Sequence, residues 1–316
     1  MNLHKLIDGK IWLAPLAGYT DFAFRQICKK MGADVMVSEM VSADGLIYNY
    51  DRSISYAQFN DFQRPFGIQL FGSEAKTMAA AAQKILPLQP DFVDLNMGCP
   101  VKKVVKRGAG SALMQTPQKA AQITSSVKKV LEKVGIPLSV KFRAGWKEVT
   151  AIEFAQRMQA SGADMLCLHA RTQKQMFSGK ADWQLIAAVK QKLQIPLIGN
   201  GDVVSAESAH QLFQTSGCDS VMIGRGIYGK PWLFREIKQK KLLSALQKLE
   251  IIKQHLQLAQ EHASRPEAGI KEMRKHLAHY TKGLTGGSDF RNSINRITDK
   301  KIIVEKLENL FEENYE

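Results

Sequence analysis

The chain has 316 residues, 45% hydrophobic and 23% charged, with a formal net charge of +14. This length buries a full core and suits one large domain plus a small one, in an ordinary soluble globular protein without a membrane-spanning apolar run. The positive excess points to a polyanionic partner, nucleic acid before a membrane surface, since no terminal helix has a lysine-faced amphipathic pattern.

From Ile11 to about Gln239 one pattern recurs. A short apolar run ends in Gly, Asn, Pro or a polar residue, and an amphipathic stretch follows. Eight runs begin at Ile11, Asp34, Pro65, Asp91, Ile136, Asp164, Ile195 and Asp219. The N-terminal stretch itself lacks a signal-peptide core and cleavage site, so export is not expected.

Helices are predicted over Thr20–Met31, Thr116–Val134, Thr150–Ala160, Asp182–Lys192 and Ser205–Thr215. Thr116-Pro117 reads as an N-cap followed by proline at the first helical position, and Asp182 and Ser205 read as caps. Val41–Arg64 is irregular, with one short helix candidate and several tyrosines. Eight strands alternating with helices predict a (β/α)8 TIM barrel. A doubly wound sheet is the second choice. It wants a GxGxxG turn after the first strand, where Pro15-Leu16-Ala17-Gly18 stands.

After Gln239 only helical patterns remain, so residues 1–239 are expected to form the barrel and 240–316 a small all-helical domain. Residues 241–301 carry 12 Lys/Arg against 6 Asp/Glu, and 302–316 carry 1 against 5, giving a basic body with an acidic tail.

In such a barrel the chemistry sits at the carboxyl ends of the strands. There the stretch DFVDLNMGCP, Asp91–Pro100, places Cys99 between a glycine and a proline. Pro100 donates no N–H and pushes Cys99 toward an extended backbone, which gives a stiff turn. A lone loop cysteine is more often inert, so its neighbours must decide. Cys28, Cys167 and Cys218 form no CxxC pair with it, and no Cys/His set has zinc spacing; a reducing cytoplasm is expected, and a metal site is not.

The other strand ends supply Glu39, Gln69, Asn96, Lys141, Arg143, His169, Arg171 and Asn200-Gly201-Asp202, then Gly224-Arg225-Gly226. Loops after strands 7 and 8 of such barrels often bind phosphate, and Gly201 and Gly224 permit close backbone approach while Arg225 adds a forked cation. FMN fits this set, with its phosphate there and Lys141 and Gln69 on the polar edge of the ring. Lys141 could instead pair with Glu39 in the core, and His169 could be a core histidine. Beyond Cys99, the loop residues Lys102, Lys103, Lys106 and Arg107 are candidate contacts to a phosphate backbone.

The order of motifs resembles that of the tRNA-dihydrouridine synthases. DLNMGCPVKKVVKRGAGSALMQTP (Asp94–Pro117) resembles their signature, and APLAGYTD, VSEM, KFRAGW, LHART, NGDV, MIGRG and RKHLAHY follow in the family's order. The shape is most similar to the bacterial B-type branch. The resemblance implies FMN-dependent reduction of uridine in tRNA to 5,6-dihydrouridine, with NADPH as reductant. Pro15, Leu16, Ala17, Gln69, Lys141, His169, Asn200, Gly201, Asp202, Gly224 and Arg225 would hold FMN. Cys99 would be the general acid, giving its proton to uracil C5 as hydride reaches C6. Asn96 and Arg171 are candidates for the uracil edge and its phosphate, on a base flipped out of its stack.

A small-molecule flavin oxidoreductase of the pyrimidine-dehydrogenase type would explain the pocket but not the +14 charge. A tRNA-binding protein without catalysis would leave Cys99 without a use. A monomer is expected, although the residues themselves leave the oligomeric state open.

Overall fold

The computed structural model describes residues 3–315. Eight parallel strands form its centre: β1 Ile11–Leu13, β2 Met36–Val37, β3 Phe66–Phe71, β4 Phe92–Met97, β5 Leu138–Gly145, β6 Met165–Thr172, β7 Leu197–Asn200 and β8 Ser220–Ile223. From β2 to β8 each strand pairs with the next, and β8 pairs with β1. Between β1 and β2, Leu13 N donates to Val35 O at 3.0 Å beside a parallel bridge from Trp12 to Val35. These contacts close the expected barrel. A two-residue strand, Val41–Ser42, adds to the end of β3.

Around it run α1 Phe22–Lys30, α2 Ala43–Tyr48, α3 Ala75–Ile85, α4 Pro117–Leu131, α5 Ala151–Ala160, α6 Trp183–Lys190, α7 Ala206–Ser216 and α8 Leu233–Gln239. Asp182 accepts from Leu185 N at 3.0 Å and Ser205 from Ser208 N at 3.1 Å, as caps should. Such a cap stabilises by roughly 1 kcal/mol. Thr116 departs from expectation. Its side chain caps nothing, and α4 starts on the fixed φ of Pro117 instead.

The irregular segment after β2 holds α2, a helix Tyr50–Ile54 and two short turns of 3-10 helix. A buried arginine of α1 organises it. Arg25 donates to Gln63 Oε1 at 3.1 Å, to Thr20 O at 2.7 Å and to Gln58 O. A charge taken out of water needs such a full set of acceptors, and that fixes the path of an otherwise featureless stretch.

Strand residues alternate in direction. One set, including Trp12, Val37, Phe92, Met165, Cys167, Ile198 and Met222, makes a buried cluster with Leu6 and Ile7. Trp12 Nε1 donates to Leu6 O at 3.0 Å, so the N-terminal residues close the amino end of the barrel. Val93, Leu95, Val140, Phe142, Leu166 and Leu168 belong to the larger cluster shared with the helices.

Beyond Gln239 lie α9 Ala245–His262, α10 Pro266–Tyr280, α11 Gly287–Ile294 and α12 Lys300–Tyr315. Leu249, Ile252 and Leu256 of α9 and Ile270, Met273 and Leu277 of α10 are buried at helical spacing. Each such side chain stabilises by roughly 1.5–3 kcal/mol, an upper estimate.

Helix α9 also packs on α1. Here the His276 ring stacks on Phe24 at 4.8 Å, and its Nε2 lies 3.5 Å from Asp21 Oδ2. His255 Nδ1 is 3.0 Å from the Tyr280 hydroxyl. Among the described residues, Asp21, His255 and His276 are also the one group able to hold a metal ion, their ligand atoms lying within 4.8 Å. They come from three elements, so linear spacing gives no sign of them.

Candidate active site

The strand register sets out the site. Arg143, His169 and Asn200 are successive partners across β5, β6 and β7, and Asn96 pairs with Lys141 across β4 and β5. At the amino end of the strands Trp12, Phe92, Met165 and Ile198 are buried in the apolar cluster with Leu6 and Ile7. The interior therefore grades from apolar at the amino end to polar at the carboxyl end. A cavity of about 380 Å³ opens there. That volume lies in the roughly 300–1,000 Å³ range of small-molecule pockets.

Cys99 lines this cavity and is half-buried, just beyond the end of β4. Asn96 Oδ1 accepts from Cys99 N at 2.9 Å and from Gly98 N at 3.2 Å. The Cys99 carbonyl accepts from Ser111 N and Ser111 Oγ, each at 3.0 Å. Arg143 Nε donates to Gly98 O at 2.7 Å. The turn is thus held on both sides. Burial pushes the Cys99 thiol up, against smaller opposing effects from the Val101 backbone and Arg143.

A directional chain supports that turn. Asn96 Nδ2 donates to Gln69 Oε1 at 2.8 Å, and Gln69 Nε2 donates to Asp94 Oδ2 at 2.6 Å. Burial raises Asp94 to about 6, while Ser139, Gln69 and Lys141 pull the other way. Both Asn96 and Gln69 line the cavity, but much of their hydrogen-bonding capacity is spent on each other and on the turn.

Lys141 Nζ donates to Asn200 Oδ1 at 3.1 Å, and Asn200 Nδ2 donates to Met222 O at 2.7 Å. The alternative pairing with Glu39 is not found, since Glu39 accepts from Gly18 N and Lys141 turns to β7. His169 lines the cavity too. Burial, with Lys141, Arg143, Arg171 and Arg225 around it, holds its imidazole well below the ordinary value, so it is neutral at pH 7.

Gly201, Asp202, Gly224 and Arg225 form the wall built by the loops after β7 and β8. At Gly201 φ is +135°, and a Cβ would lie 2.5 Å from Ala181 Cβ, so only glycine fits. At Gly224 a Cβ would meet only Ala14 Cβ, at 3.9 Å, so the missing side chain leaves backbone open to a ligand. Pro15, Leu16 and Ala17 line the same cavity.

Arg171 and Asp202 play a different part from a plain ligand contact. Arg171 is buried, donating to Ser178 O at 3.1 Å, to Gly179 O at 2.7 Å and to Asp202 Oδ2 at 2.8 Å. Asp202 also accepts from Ala181 N at 2.7 Å. The pair knits two loops together. Of the arginine's nitrogens, Nη1 is buried without a partner, and it faces Gly201.

Lys102, Lys103, Lys106 and Arg107 are exposed and do not line the cavity. The expected loop begins as a one-turn helix, Lys102–Val105, which starts beside the lining residue Val101. Met40, Phe177 and Tyr228 also line the cavity and were not expected from the sequence. Loop aromatics carry no periodicity, although an aromatic in a turn just past a strand end, as Phe177 is past β6, is a signal of that kind.

A family profile described as "Dihydrouridine synthase (Dus)" matches residues 12–315. A "Probable tRNA-dihydrouridine synthase" of Rickettsia conorii is 36% identical, covering 95% of this chain and 93% of that protein. A "tRNA-dihydrouridine synthase B" of Pasteurella multocida is 37% identical, covering 96% and 93%. Among solved structures, the old yellow enzyme homologue from Zymomonas mobilis aligns with a TM-score of 0.53 at 15% identity, covering 74% of this chain and 90% of that one. That likeness concerns the fold alone. By profile, identity and coverage, this chain belongs to the dihydrouridine synthase family.

Proposed function

We propose that this protein reduces the C5–C6 double bond of uridines in tRNA to 5,6-dihydrouridine, using FMN, with NADPH as the electron donor. The observation that carries the reading is a half-buried thiol on a braced turn, with burial pushing its pKa up, in the wall of a cavity that Lys141, Arg225, Gly201 and Gly224 also line. The residues fit FMN. Gly201, Gly224 and Arg225 suit its phosphate, and Pro15, Leu16, Ala17, Gln69, Lys141, His169 and Asn200 suit its ring, with Asp202 holding the phosphate loop through Arg171. Bound there, FMN supplies the hydride.

The chain's own task is to hold the uracil and to deliver a proton. Charge grows on C5 and the neighbouring carbonyl as the double bond is reduced, and Cys99 Sγ gives its proton to C5. That is general-acid work, typically 10²–10⁴-fold in rate. A raised thiol pKa keeps the proton in place until it is needed. Of the two residues expected at the base edge and its phosphate, Asn96 spends Nδ2 on Gln69 Oε1 and lies 3.7 Å from Met40 Sδ, while Arg171 keeps Nη1 without a partner.

The basic stretch of residues 241–301 and the exposed Lys102, Lys103, Lys106 and Arg107 supply the sequence-independent attraction to the RNA backbone. The test is direct. Purified protein should be yellow and should form dihydrouridine in tRNA isolated from cells lacking the gene, with NADPH present. A colourless protein, or one that reduces free uracil and ignores tRNA, would refute the proposal.

A further inference from the structure

Phe177 is a side chain that neither the cofactor nor the acid step uses. It lines the cavity, yet 47% of it is exposed. The guanidinium carbon of Arg225 lies 4.4 Å from its ring centroid and that of Arg143 5.6 Å.

The ring is not exposed through slackness of its loop. Arg143 Nη1 donates to Thr172 O at 3.2 Å and to Met176 O at 2.9 Å. Arg171 donates to the carbonyls of Ser178 and Gly179. Two buried arginines thus grip the backbone immediately before and after Phe177. Met176 sits at φ +54°, a conformation a non-glycine residue keeps only when its surroundings impose it. Held firmly in the cavity lining with two guanidinium groups beside it, the ring offers a ligand a fixed aromatic surface.

The chemistry of the rim names the ligand. A uridine that enters the cavity leaves its stack, and the base next to it in the chain is left without a stacking partner. The cavity must already hold the proposed flavin and the first base. The second base stays at the mouth, where a π-face backed by guanidinium groups is the surface that single-stranded bases prefer.

Resting on the proposed tRNA activity, we infer that Phe177 stacks on the nucleobase adjacent to the target uridine and takes the place of the flipped base. Nicotinamide is the competing flat ring, but it must reach the cofactor inside the cavity, and Phe177 stands on the rim.

The experiment uses the full-length, flavin-loaded protein and unmodified tRNA. Phe177→Ala and Phe177→Leu should weaken tRNA binding, and raise KM for tRNA, by about 5- to 150-fold, the range of one base–aromatic stack. Phe177→Tyr and Phe177→Trp should stay near wild type. Flavin content and the rate of flavin reduction by NADPH should not change in any of them. Wild-type affinity in Phe177→Ala, full recovery in Phe177→Leu, or a slowed NADPH step would each overturn the inference. If the unaltered protein reduces no tRNA, the parent proposal fails first and is seen to fail separately.

Discussion

Asn96 Oδ1 accepts the backbone N–H of Cys99 at 2.9 Å, so the last polar side chain of β4 fixes the position of the thiol three residues later. The same amide donates to Gln69 Oε1 at 2.8 Å, which ties the turn to β3. Asn96→Ala removes both anchors, so the thiol is kept but its position is loosened. A displacement of about 1 Å at a reacting group costs on the order of 10²-fold in rate. Turnover should fall by about that factor with flavin content unchanged. Asn96→Asp keeps the acceptor for the turn but sets a carboxylate against Gln69 Oε1, so it should recover part of the loss. Single-turnover reduction of tRNA by the two variants decides the point.

Cys99→Ala should remove the proposed acid step and lower turnover by about 10²–10⁴-fold, with flavin and tRNA binding retained. The pH dependence carries more information. Burial raises the thiol above its ordinary value near 9, so the acid form persists to higher pH than for a free cysteine. The rate of the tRNA step should therefore be flat through pH 8.5 and should fall only as pH rises through the elevated pKa. A decline centred between pH 7 and 8 would contradict the raised thiol pKa, and a rate that climbs with pH through the thiol's titration would mean a thiolate nucleophile rather than an acid.

The barrel, its strand ends and the turn at Cys99 were legible because they depend on local rules. Period-two apolar runs, capping residues such as Ser205 and the Gly98-Cys99-Pro100 punctuation all act within a few residues. What escaped depends on contacts across the fold. Nothing near Arg171 in the chain says that Asp202 will claim it, and nothing near Lys141 says that it will turn to Asn200 rather than Glu39. Thr116 looks like a cap, but with φ −130° and ψ 65° its side chain makes no cap bond. The cluster of Asp21, His255 and His276 forms only when α9 and α10 pack on α1.

That cluster sets an acid limit on the junction. Burial holds His255 and His276 below the ordinary value of 6.5, so both are neutral in the fold and bind protons more readily when it opens. The unfolded state gains protons as pH falls below about 6.5, and stability falls with it, by up to about 1.4 kcal/mol per pH unit for each histidine. Above that pH the contribution is complete. Urea unfolding at pH 7.5, 6 and 5 should show the midpoint dropping across this window. His255→Gln with His276→Gln should flatten the drop, and an unchanged slope would remove these two residues as its source.

The exposed cations after Cys99 make the last prediction, and it separates attraction from chemistry. Lys102 and Lys103 stand in the one-turn helix beside Val101, outside the cavity. Their charges act on whatever polyanion crosses the mouth, through displacement of its counterions. Each phosphate deprived of its protein cation makes the plot of log affinity against log salt shallower by about 0.7–0.9. Lys102→Glu with Lys103→Glu should therefore weaken tRNA binding most at low salt and reduce the slope by about one to two. Flavin content and the NADPH step should be untouched, because neither side chain reaches the cavity. Titrations at several salt concentrations measure the slope. If it does not change, the RNA runs elsewhere, and the cations of residues 241–301 become the remaining candidates for the attraction.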